Sequence, residues 1–258
     1  MDVEIAPGMS MPLLGFGTWE MRGKEAQNAV ARALEVGYRH LDTARMYRNE
    51  TEVGRALAAS GIARADVFVT TKMWPDRAGS ERASIEESLD ALGLDHVDLW
   101  LIHWPPGGAR PDVWERFLEA QADGLARAVG VSNYSVAQLD ELREATGTLP
   151  AVNQVEWGPA LYDERALEEH RRRGVQLEGY SPLKTTDLRN GRLVAIAGAH
   201  GVTPAQVVIR WHLEHEIVVI PKSANANRIA ENADVLGFAL SEDEVATLDS
   251  LGSGARRD

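Results

Sequence analysis

Residues 67–103 read VFVTTKMWPDRAGSERASIEESLDALGLDHVDLWLIH, and this stretch contains the structural unit that repeats along the chain. It begins and ends with short apolar runs, VFVTTK (67–72) and VDLWLIH (97–103), which are typical of strands buried on both faces. Between them, ASIEESLDALG places apolar residues three and four positions apart and stops at a glycine, which predicts a helix. The stretch therefore predicts one strand–helix–strand unit of a parallel sheet.

The same unit recurs along the whole chain. Eight short apolar runs begin 24 to 42 residues apart, which is the length of one strand–helix unit. Eight units favour a closed (β/α)8 barrel, the TIM barrel of the α/β class, over a doubly wound sheet. No linker rich in Pro, Gly or Ser interrupts them, so we predict a single domain over residues 1–258. The predicted strands span residues 13–17, 39–42, 67–72, 97–103, 126–132, 151–156, 175–180 and 217–221.

The first twelve or so residues stand apart from the repeated units. They carry two short apolar segments on either side of Pro7 and Gly8, a dipeptide that favours a turn. This pattern predicts a β-hairpin, and its position before the first barrel strand predicts that it plugs the bottom of the barrel. Further along, the pairs Ser135 with Gln138, Thr203 with Gln206 and Ser241 with Glu244 each predict a capping box that begins a helix.

Composition excludes several classes of protein. The net charge of −12, from 27 basic and 39 acidic residues, argues against a surface that binds nucleic acid or an anionic membrane. No cysteine is present, so disulfides and thiolate metal sites are excluded. The first residues are acidic and carry no basic segment before an apolar run, so we expect no secretory signal, and no apolar stretch approaches the roughly 18 residues of a membrane span. We therefore expect a cytoplasmic protein, and a monomer because no exposed apolar stripe is visible.

Four residues placed at or just after predicted strands carry the chemistry. Asp42, Lys72 and His103 end three consecutive strands, and Tyr47 follows the first of these by five residues. The carboxyl ends of barrel strands form one mouth, where active sites of this fold lie. A tyrosine has a free pKa of about 10, which an ammonium lowers, while a carboxylate holds that ammonium in place. The four side chains together predict delivery of a proton to a carbonyl oxygen.

Seven motifs in register resemble the aldo-keto reductase family, and in particular its bacterial branch of 2,5-diketo-D-gluconate reductases. The resemblance extends from about residue 12 to 250. It implies NADPH-dependent reduction of an aldehyde or ketone to an alcohol, with no metal. The motifs are GYRHLDTARMYRNE (37–50), TTKMWP (70–75), LIHWP (101–105), GVSN (130–133), NQVE (153–156), GYSPL (179–183) and IPKSANANRIAEN (220–232).

The resemblance assigns roles to the four residues at the mouth. By position, Tyr47 is the proton donor, Lys72 lowers the pKa of Tyr47, and Asp42 pairs with Lys72. His103 hydrogen-bonds the carbonyl oxygen and orients it. The substrate pocket is implied to consist of Trp19, Tyr47, Trp74, His103 and Trp104, in which three tryptophans form aromatic walls.

The resemblance also implies an extended NADPH site. Ser132, Asn133 and Gln154 correspond to side chains that hold the nicotinamide carboxamide, and Tyr180 to the ring that stacks on the nicotinamide. Lys222, Ser223 and Arg228 correspond to the site of the 2′-phosphate. Two cations beside a helix N-terminus suit an anion, particularly in an acidic chain. The remaining implied cofactor residues are Thr18, Trp19, Asp42, Ser181, Pro182, Leu183, Glu231 and Asn232.

Departures from the family pattern bear on the substrate. The segment LGSGARRD (251–258) is short, so we expect an open, permissive pocket without the longer tail that covers the substrate in many relatives. Lys184, Thr185 and Thr186 follow the Ser-Pro-Leu motif in place of glycine, which changes how the pyrophosphate is held. Gly158 replaces a histidine, and Arg45 beside the mouth favours an anionic substrate.

Two alternatives remain open at this point. The same fold and cofactor site would suit a catalytically silent, NADPH-binding sensor or regulatory module, although an intact Asp, Tyr, Lys and His set speaks against it. A metal-dependent barrel hydrolase would use His40, Asp42 and His103, two of which lie two positions apart on one strand. The sequence names neither the carbonyl substrate nor the physiological direction of the reaction.

Overall fold

The eight predicted parallel strands are present and follow one another around a barrel in the order of the sequence. The ring closes between its first and last strands, where Leu14 pairs with Val219 and the Gly15 amide donates to the Val219 carbonyl at 2.9 Å. This computed structural model describes residues 1–252. The strands are β1 (Asp2–Ala6), β2 (Met9–Pro12), β3 (Phe16–Gly17), β4 (His40–Asp42), β5 (Phe68–Met73), β6 (Val97–Ile102), β7 (Ala126–Ser132), β8 (Val152–Glu156), β9 (Gln176–Tyr180) and β10 (Val218–Val219).

Helices connect the strands and surround the barrel. The three predicted capping boxes are confirmed, at Ser135, Thr203 and Ser241. Within residues 1–252 no single helix has the length and apolar composition of a membrane span. The helices Gly191–His200 and Pro204–Glu214 meet that test only when taken together, and they are bent by 88° where they meet. The helices are α1 (Gly23–Glu35), α2 (Glu50–Ala59), α3 (Glu81–Leu92), α4 (Pro111–Ala122), α5 (Val136–Thr146), α6 (Glu164–Arg173), α7 (Gly191–His200), α8 (Pro204–Glu214), α9 (Ala226–Ala233) and α10 (Glu242–Asp249).

Strand alternation decides which side chains face the barrel interior. In β6, Leu99 and Leu101 pack in the interior cluster, whereas Trp100 and Ile102 pack outward against the helices. The outward Trp100 stacks on Phe117 of α4 with ring centroids 3.7 Å apart. Side chains two positions apart on a strand share a face. The same alternation therefore points polar residues of the other strands into the barrel, between the apolar layer and the mouth.

The N-terminal hairpin is confirmed, as β1 and β2 pair antiparallel. Its Met9 and Met11 are buried in the interior cluster together with Phe68 and Leu99, which lie at or near the start of their strands. The hairpin therefore covers the end of the barrel opposite the mouth.

Removing the Met11 side chain should measurably destabilise the protein. Met11 is fully buried, so we expect Met11→Ala to lower the free energy of unfolding by about 2–5 kcal/mol. Urea denaturation followed by circular dichroism measures the change. Leu236→Ala serves as the control, since Leu236 is 59% exposed and its truncation should stay within about 0.5 kcal/mol. A loss at Met11 no larger than the control would contradict the plug.

Candidate active site

Asp42 and Lys72 form a buried ion pair at the carboxyl ends of adjacent strands. The Lys72 ammonium donates to both carboxylate oxygens of Asp42, at 2.6 and 2.7 Å, and to the Thr43 carbonyl at 3.0 Å. The Gln154 amide, 112 residues further along the chain, donates to Asp42 Oδ2 at 2.8 Å. The carboxylate is thus held from two sides, and one further oxygen lies within reach of the ammonium.

The further oxygen near the Lys72 ammonium is the hydroxyl of Tyr47. The Lys72 ammonium lies 3.4 Å from the Tyr47 hydroxyl and 5.1 Å from the centroid of its ring. Tyr47 ends a short 3-10 helix (Arg45–Tyr47) between β4 and α2, which carries its ring over the ends of the strands. Three of the four predicted catalytic side chains therefore form one continuous chain of contacts.

Burial and pairing act in opposite senses on these groups. Burial is the largest single effect on Lys72 and disfavours its ammonium, but Asp42, Tyr47 and Glu178 together outweigh it, so the pKa of Lys72 is raised and the side chain is charged. Burial also raises the pKa of Asp42, and Lys72 opposes that rise. At Tyr47 burial is the larger effect and raises the pKa to about 12, although Lys72 lowers it as the sequence predicted. The Tyr47 side chain is partly exposed at the mouth, so solvent offsets part of the effect of burial on its pKa.

His103 completes the predicted set and is neutral. Burial, aided by the charge of Lys72, lowers the pKa of His103 to about 3. Its ring meets the Tyr47 ring edge to face at 5.6 Å and the Trp74 ring at 5.2 Å. A neutral imidazole keeps one N–H donor and one acceptor nitrogen. His103 therefore stands beside the phenol as a second group able to donate a hydrogen bond.

An aromatic rim surrounds these groups. Trp19 packs edge to face on Tyr47 at 4.8 Å, and Trp19 and Trp104 are among the most exposed apolar side chains of the described part of the chain, at 42% and 43%. They line, with Trp74, a cavity of about 480 Å³ at the mouth, a size typical of small-molecule sites. All five residues of the predicted substrate pocket line this cavity.

A polar ledge forms the opposite side of the cavity. The Ser132 hydroxyl donates to the Gln154 carbonyl at 2.8 Å, and the Asn133 amide donates to Ser132 Oγ at 2.9 Å and to the His103 carbonyl at 3.3 Å. The Tyr180 hydroxyl donates to Asn133 Oδ1 at 3.0 Å, which fixes the Tyr180 ring. A planar amide-bearing ligand would find aligned amide and hydroxyl partners here, with an aromatic ring beside them.

Left-handed backbone conformations gather around the mouth. Asn133 (φ 62°), Ser181 (φ 55°), Glu20 (φ 61°) and Arg48 (φ 57°) all adopt it without being glycine. Such conformations persist where surrounding contacts impose them, and they cluster at binding sites. At Asn133 and Ser181 they turn the chain directly after β7 and β9, which brings the side chains of both residues to the cavity wall.

The predicted phosphate-binding residues lie at the start of α9. The Arg228 guanidinium donates to Ser223 Oγ at 3.4 Å, and Asn225 caps the helix by accepting from the amides of Asn227 and Arg228. Lys222 is exposed and lines the cavity. Two cations and a helix N-terminus thus face solvent beside the mouth, an arrangement suited to an anion.

The predicted cofactor residues divide by position. Thr18 is fully buried, and its hydroxyl donates to the Asp42 carbonyl at 3.0 Å, so it supports the site from below and does not line the cavity. Glu231 accepts from the Thr203 hydroxyl at 2.9 Å. Ser223, Arg228, Glu231 and Asn232 lie outside the cavity wall. The predicted cofactor residues that line it are Trp19, Asp42, Ser132, Asn133, Gln154, Tyr180, Ser181, Pro182, Leu183 and Lys222.

Two departures from the family pattern are coupled in space. A Cβ atom at position 158 would lie 2.5 Å from Thr185 Oγ1 and 3.1 Å from the Pro182 carbonyl. Any side chain at position 158 would therefore clash with Thr185 in its present position. The glycine therefore makes room for the turn in which the amides of Lys184 and Thr185 donate to the Ser181 carbonyl, and which lines the cavity through Lys184.

Arg45 contacts two carboxylates, and the expected preference for an anionic substrate stays a prediction. Its guanidinium pairs with Glu87 at 3.1 Å and with Glu50 at 3.6 Å, and Arg45 does not line the cavity at the mouth. The nearby carboxylates attract it away from the mouth, which a single sequence position does not reveal. The C-terminal tail predicted to leave the pocket open lies largely outside the described residues.

The residues of the metal-site alternative do not converge. Among the described residues no three His, Asp or Glu side chains are grouped so as to hold a metal ion. His40 is buried inside the barrel, with Nε2 3.1 Å from the Thr70 hydroxyl. The carboxylate oxygens of Asp42 already accept hydrogen bonds from Lys72 and Gln154.

Comparison with known proteins places this geometry in a family. The profile of the aldo/keto reductase family matches residues 13–253. The chain belongs to the aldo/keto reductase family. Morphine 6-dehydrogenase of Pseudomonas putida is 42% identical and aligns over 98% of this chain and 92% of its own length. Glyoxal reductase of Bacillus subtilis is 40% identical over 98% of this chain and 94% of its own.

Structural similarity agrees with the sequence comparison. The crystal structure of a Bombyx mori aldo-keto reductase in complex with NADP superposes with a TM-score of 0.91 at 31% identity, covering 97% of this chain and 92% of that one. The (β/α)8 fold of the aldo-keto reductase is therefore confirmed, and the protein is an oxidoreductase of a family that generally reduces carbonyl groups with NADP(H).

Sequence reasoning missed several residues of this aldo-keto reductase site. Met46, Glu20 and Glu156 also line the cavity. Glu156 ends the Gln-Val-Glu motif at the end of β8, so its position after a strand was a usable signal. Glu178 is a second acidic residue on a barrel strand, and its side chain is fully buried.

Proposed function

We propose that this aldo-keto reductase reduces an aldehyde or ketone to an alcohol with NADPH, and that Tyr47 donates the proton. The contact chain from Asp42 through Lys72 to Tyr47, ending at the cavity beside His103, carries the proposal. The cofactor, when bound, supplies the hydride. The protein supplies position, a proton and a site that stabilises negative charge on oxygen.

Tyr47 acts as the acid because Lys72 faces its hydroxyl. As a carbonyl oxygen gains electrons it becomes basic, and the phenolic proton moves to it. The phenolate left behind is stabilised by the Lys72 ammonium 3.4 Å away, which Asp42 and the Thr43 carbonyl hold in place. Proton release by a phenol of raised pKa is thus favoured only when the phenolate has this neighbour.

His103 orients the same oxygen. Its neutral ring lies beside Tyr47 and Trp74, so an N–H directed into the cavity can hydrogen-bond the oxygen without surrendering its proton. Two donors converging on one oxygen fix the plane of the carbonyl group. The apolar walls of Trp19, Trp74 and Trp104 exclude water and strengthen both interactions.

The ledge and the rim fit the implied cofactor. Ser132, Asn133 and Gln154 would hold the carboxamide of the nicotinamide, and Tyr180, fixed by Asn133, would stack on its ring. The turn from Ser181 to Leu183 would follow the pyrophosphate, and Lys222, Ser223 and Arg228 would bind the 2′-phosphate. Glu231 and Asn232 would contact the adenine.

The direct test is consumption of NADPH absorbance with a panel of aldehydes, ketones and keto-sugars. We expect turnover with aldehydes at least, in a small aromatic pocket. Tight NADPH binding by calorimetry with no turnover on any carbonyl would overturn the proposal in favour of a sensor that binds the cofactor without catalysis. We also propose that the protein acts as a cytoplasmic monomer on a small-molecule substrate, independent of nucleic acid and membrane.

Preference for NADPH over NADH should depend on Lys222 and Arg228. The 2′-phosphate adds about two negative charges, and exposed cations each contribute on the order of 1 kcal/mol to such a group. In Lys222→Ala/Arg228→Ala we expect the Kd for NADPH to rise about 10-fold to 100-fold and that for NADH to change less than about threefold. Fluorescence titration of both cofactors measures this.

Lys24→Ala/Arg22→Ala provides the matched control, since both side chains are exposed and lie away from the cavity lining. It should leave both Kd values unchanged. Equal losses for the two cofactors in Lys222→Ala/Arg228→Ala would refute the assignment of the phosphate site.

A further inference from the structure

A second buried acid lies inside the barrel, and the mechanism above does not use it. Glu178 is on β9, in register with Gln154 of β8 and with Val218 of β10. Its side chain is fully buried, and neither carboxylate oxygen has a hydrogen bond of ordinary geometry. A buried carboxylate without donors is costly, so a partner or a proton must compensate it.

The nearest candidate partner is His40. Its Nε2 lies 3.8 Å from Glu178 Oε1, just outside hydrogen-bond range. Burial, together with the charge of Lys72, lowers the pKa of His40 to about 3, so this imidazole is neutral. A neutral His40 cannot compensate a carboxylate by charge, and its Nε2 already lies 3.1 Å from the Thr70 hydroxyl, so a proton on Glu178 itself is what removes the cost of a buried charge.

The surroundings favour the protonated acid. Burial raises the pKa of Glu178 to about 8, the negative charge of Asp42 adds to the rise, and Gln154 and Lys72 oppose it. The titratable groups around Glu178 are His40 and Asp42 from β4, Lys72 from β5 and Tyr47 from the 3-10 helix that follows β4. The Asp98 carboxylate of β6 forms salt bridges with the guanidinium groups of Arg64 and Arg127, at N–O distances of 2.7 and 2.8 Å.

Glu178 is coupled to the proton donor through the shared ion pair. Gln154 touches Asp42, Asp42 holds Lys72, and Lys72 faces Tyr47. With Glu178 neutral, Asp42 and Lys72 balance each other. An ionised Glu178 would add a second negative charge near the Lys72 ammonium. That charge raises the pKa of Tyr47, because it makes the phenolate harder to form.

We propose that Glu178 is a positioning residue held as a neutral acid beside His40, and that its ionisation at alkaline pH weakens Tyr47 as a proton donor. Carbonyl reduction is then fastest while Glu178 keeps its proton, and slows as that proton is released to the solvent. This inference rests on the proposed function for its effect on rate, whereas the protonation state of Glu178 is a property of the cofactor-free protein.

The first test is infrared difference spectroscopy of the cofactor-free protein, which separates protonated carboxyl groups from carboxylates. We expect a protonated carboxyl band near pH 6 that disappears with a midpoint of about 8. The band should be missing in Glu178→Gln and retained in Glu50→Gln. Glu50 is the matched control, since it is also buried but bonds Thr71 on the outer face of β5. A carboxylate at Glu178 near pH 6 would overturn the proposal.

The second test is the pH dependence of kcat for carbonyl reduction. Glutamine imitates the neutral acid, so Glu178→Gln should match wild type near pH 6 within about threefold. Above about pH 8 wild type should lose about 3-fold to 10-fold in kcat, and Glu178→Gln should not. Glu50→Gln should follow wild type throughout. Persistence of the alkaline loss in Glu178→Gln would contradict the proposal.

A second substitution at the same position keeps the test valid if Glu178→Gln fails to fold. Glu178→Leu has similar volume and no charge, and should show the same flat pH dependence as Glu178→Gln. If wild type reduces no carbonyl, the proposed function fails, and the infrared titration still decides the state of Glu178: a midpoint near 8 supports it, and ionisation at neutral pH overturns it.

Discussion

Tyr47→Phe should reduce kcat for carbonyl reduction by about 10²-fold to 10⁴-fold, the range of a lost general acid. The substitution deletes only the hydroxyl that faces the Lys72 ammonium at 3.4 Å, while the phenyl ring can keep its packing against Trp19 and His103. Binding of NADPH should change by less than about threefold, because the hydroxyl contributes to charge on the substrate oxygen. Steady-state kinetics with the best aldehyde of the panel measure the loss.

Tyr38→Phe is the matched control for this substitution. The Tyr38 hydroxyl is buried without a hydrogen-bonding partner and lies between α1 and β4, far from the mouth. Its removal should leave kcat unchanged. Equal activity of Tyr47→Phe and wild type would show that another group delivers the proton, and the proposed mechanism would be wrong.

Lys72→Met should damage both stability and activity. Removing the ammonium leaves the Asp42 carboxylate buried with the Gln154 amide as its remaining strong donor, and an uncompensated buried charge costs about 3–5 kcal/mol. The phenolate of Tyr47 also loses its neighbour, so kcat should fall by about 10²-fold or more. Urea denaturation and steady-state kinetics measure the two losses separately.

A double variant separates the ion pair from the chemistry. Asp42→Asn/Lys72→Met removes both charges, so most of the lost stability should return, whereas kcat should stay low because no cation faces Tyr47. Lys24→Met, on the exposed first turn of α1, should alter neither quantity. Recovery of activity in the double variant would mean that Lys72 acts only through folding.

Much of the site could be predicted from the sequence because strands and turns are encoded locally. The eight apolar runs correspond to β3 through β10, and the capping boxes begin the predicted helices. A residue at the end of a parallel strand lies at the mouth by topology alone, which placed Asp42, Lys72 and His103 together. The family motifs then supplied roles that composition could not.

Other features could not be predicted because they depend on distances across the barrel. Arg45 follows β4 in sequence, but Glu87 on α3 draws its guanidinium away. Thr18, a predicted cofactor residue, donates to the backbone carbonyl of Asp42, a contact that the sequence does not reveal. Gly158 departs from the family pattern, and its reason appears only where Thr185 occupies the neighbouring space.

The repeated strand–helix units and the residue types at the mouth could be predicted from the amino-acid sequence. These follow from hydrophobic periodicity and turn chemistry, which act over a few residues. Three features are visible only in the three-dimensional structure: Gln154 reaches Asp42, Lys72 faces Tyr47, and Glu178 is buried with no hydrogen bond of ordinary geometry. Those contacts join residues far apart in the chain, and closure of the barrel sets their distances and removes the water that would otherwise screen their charges.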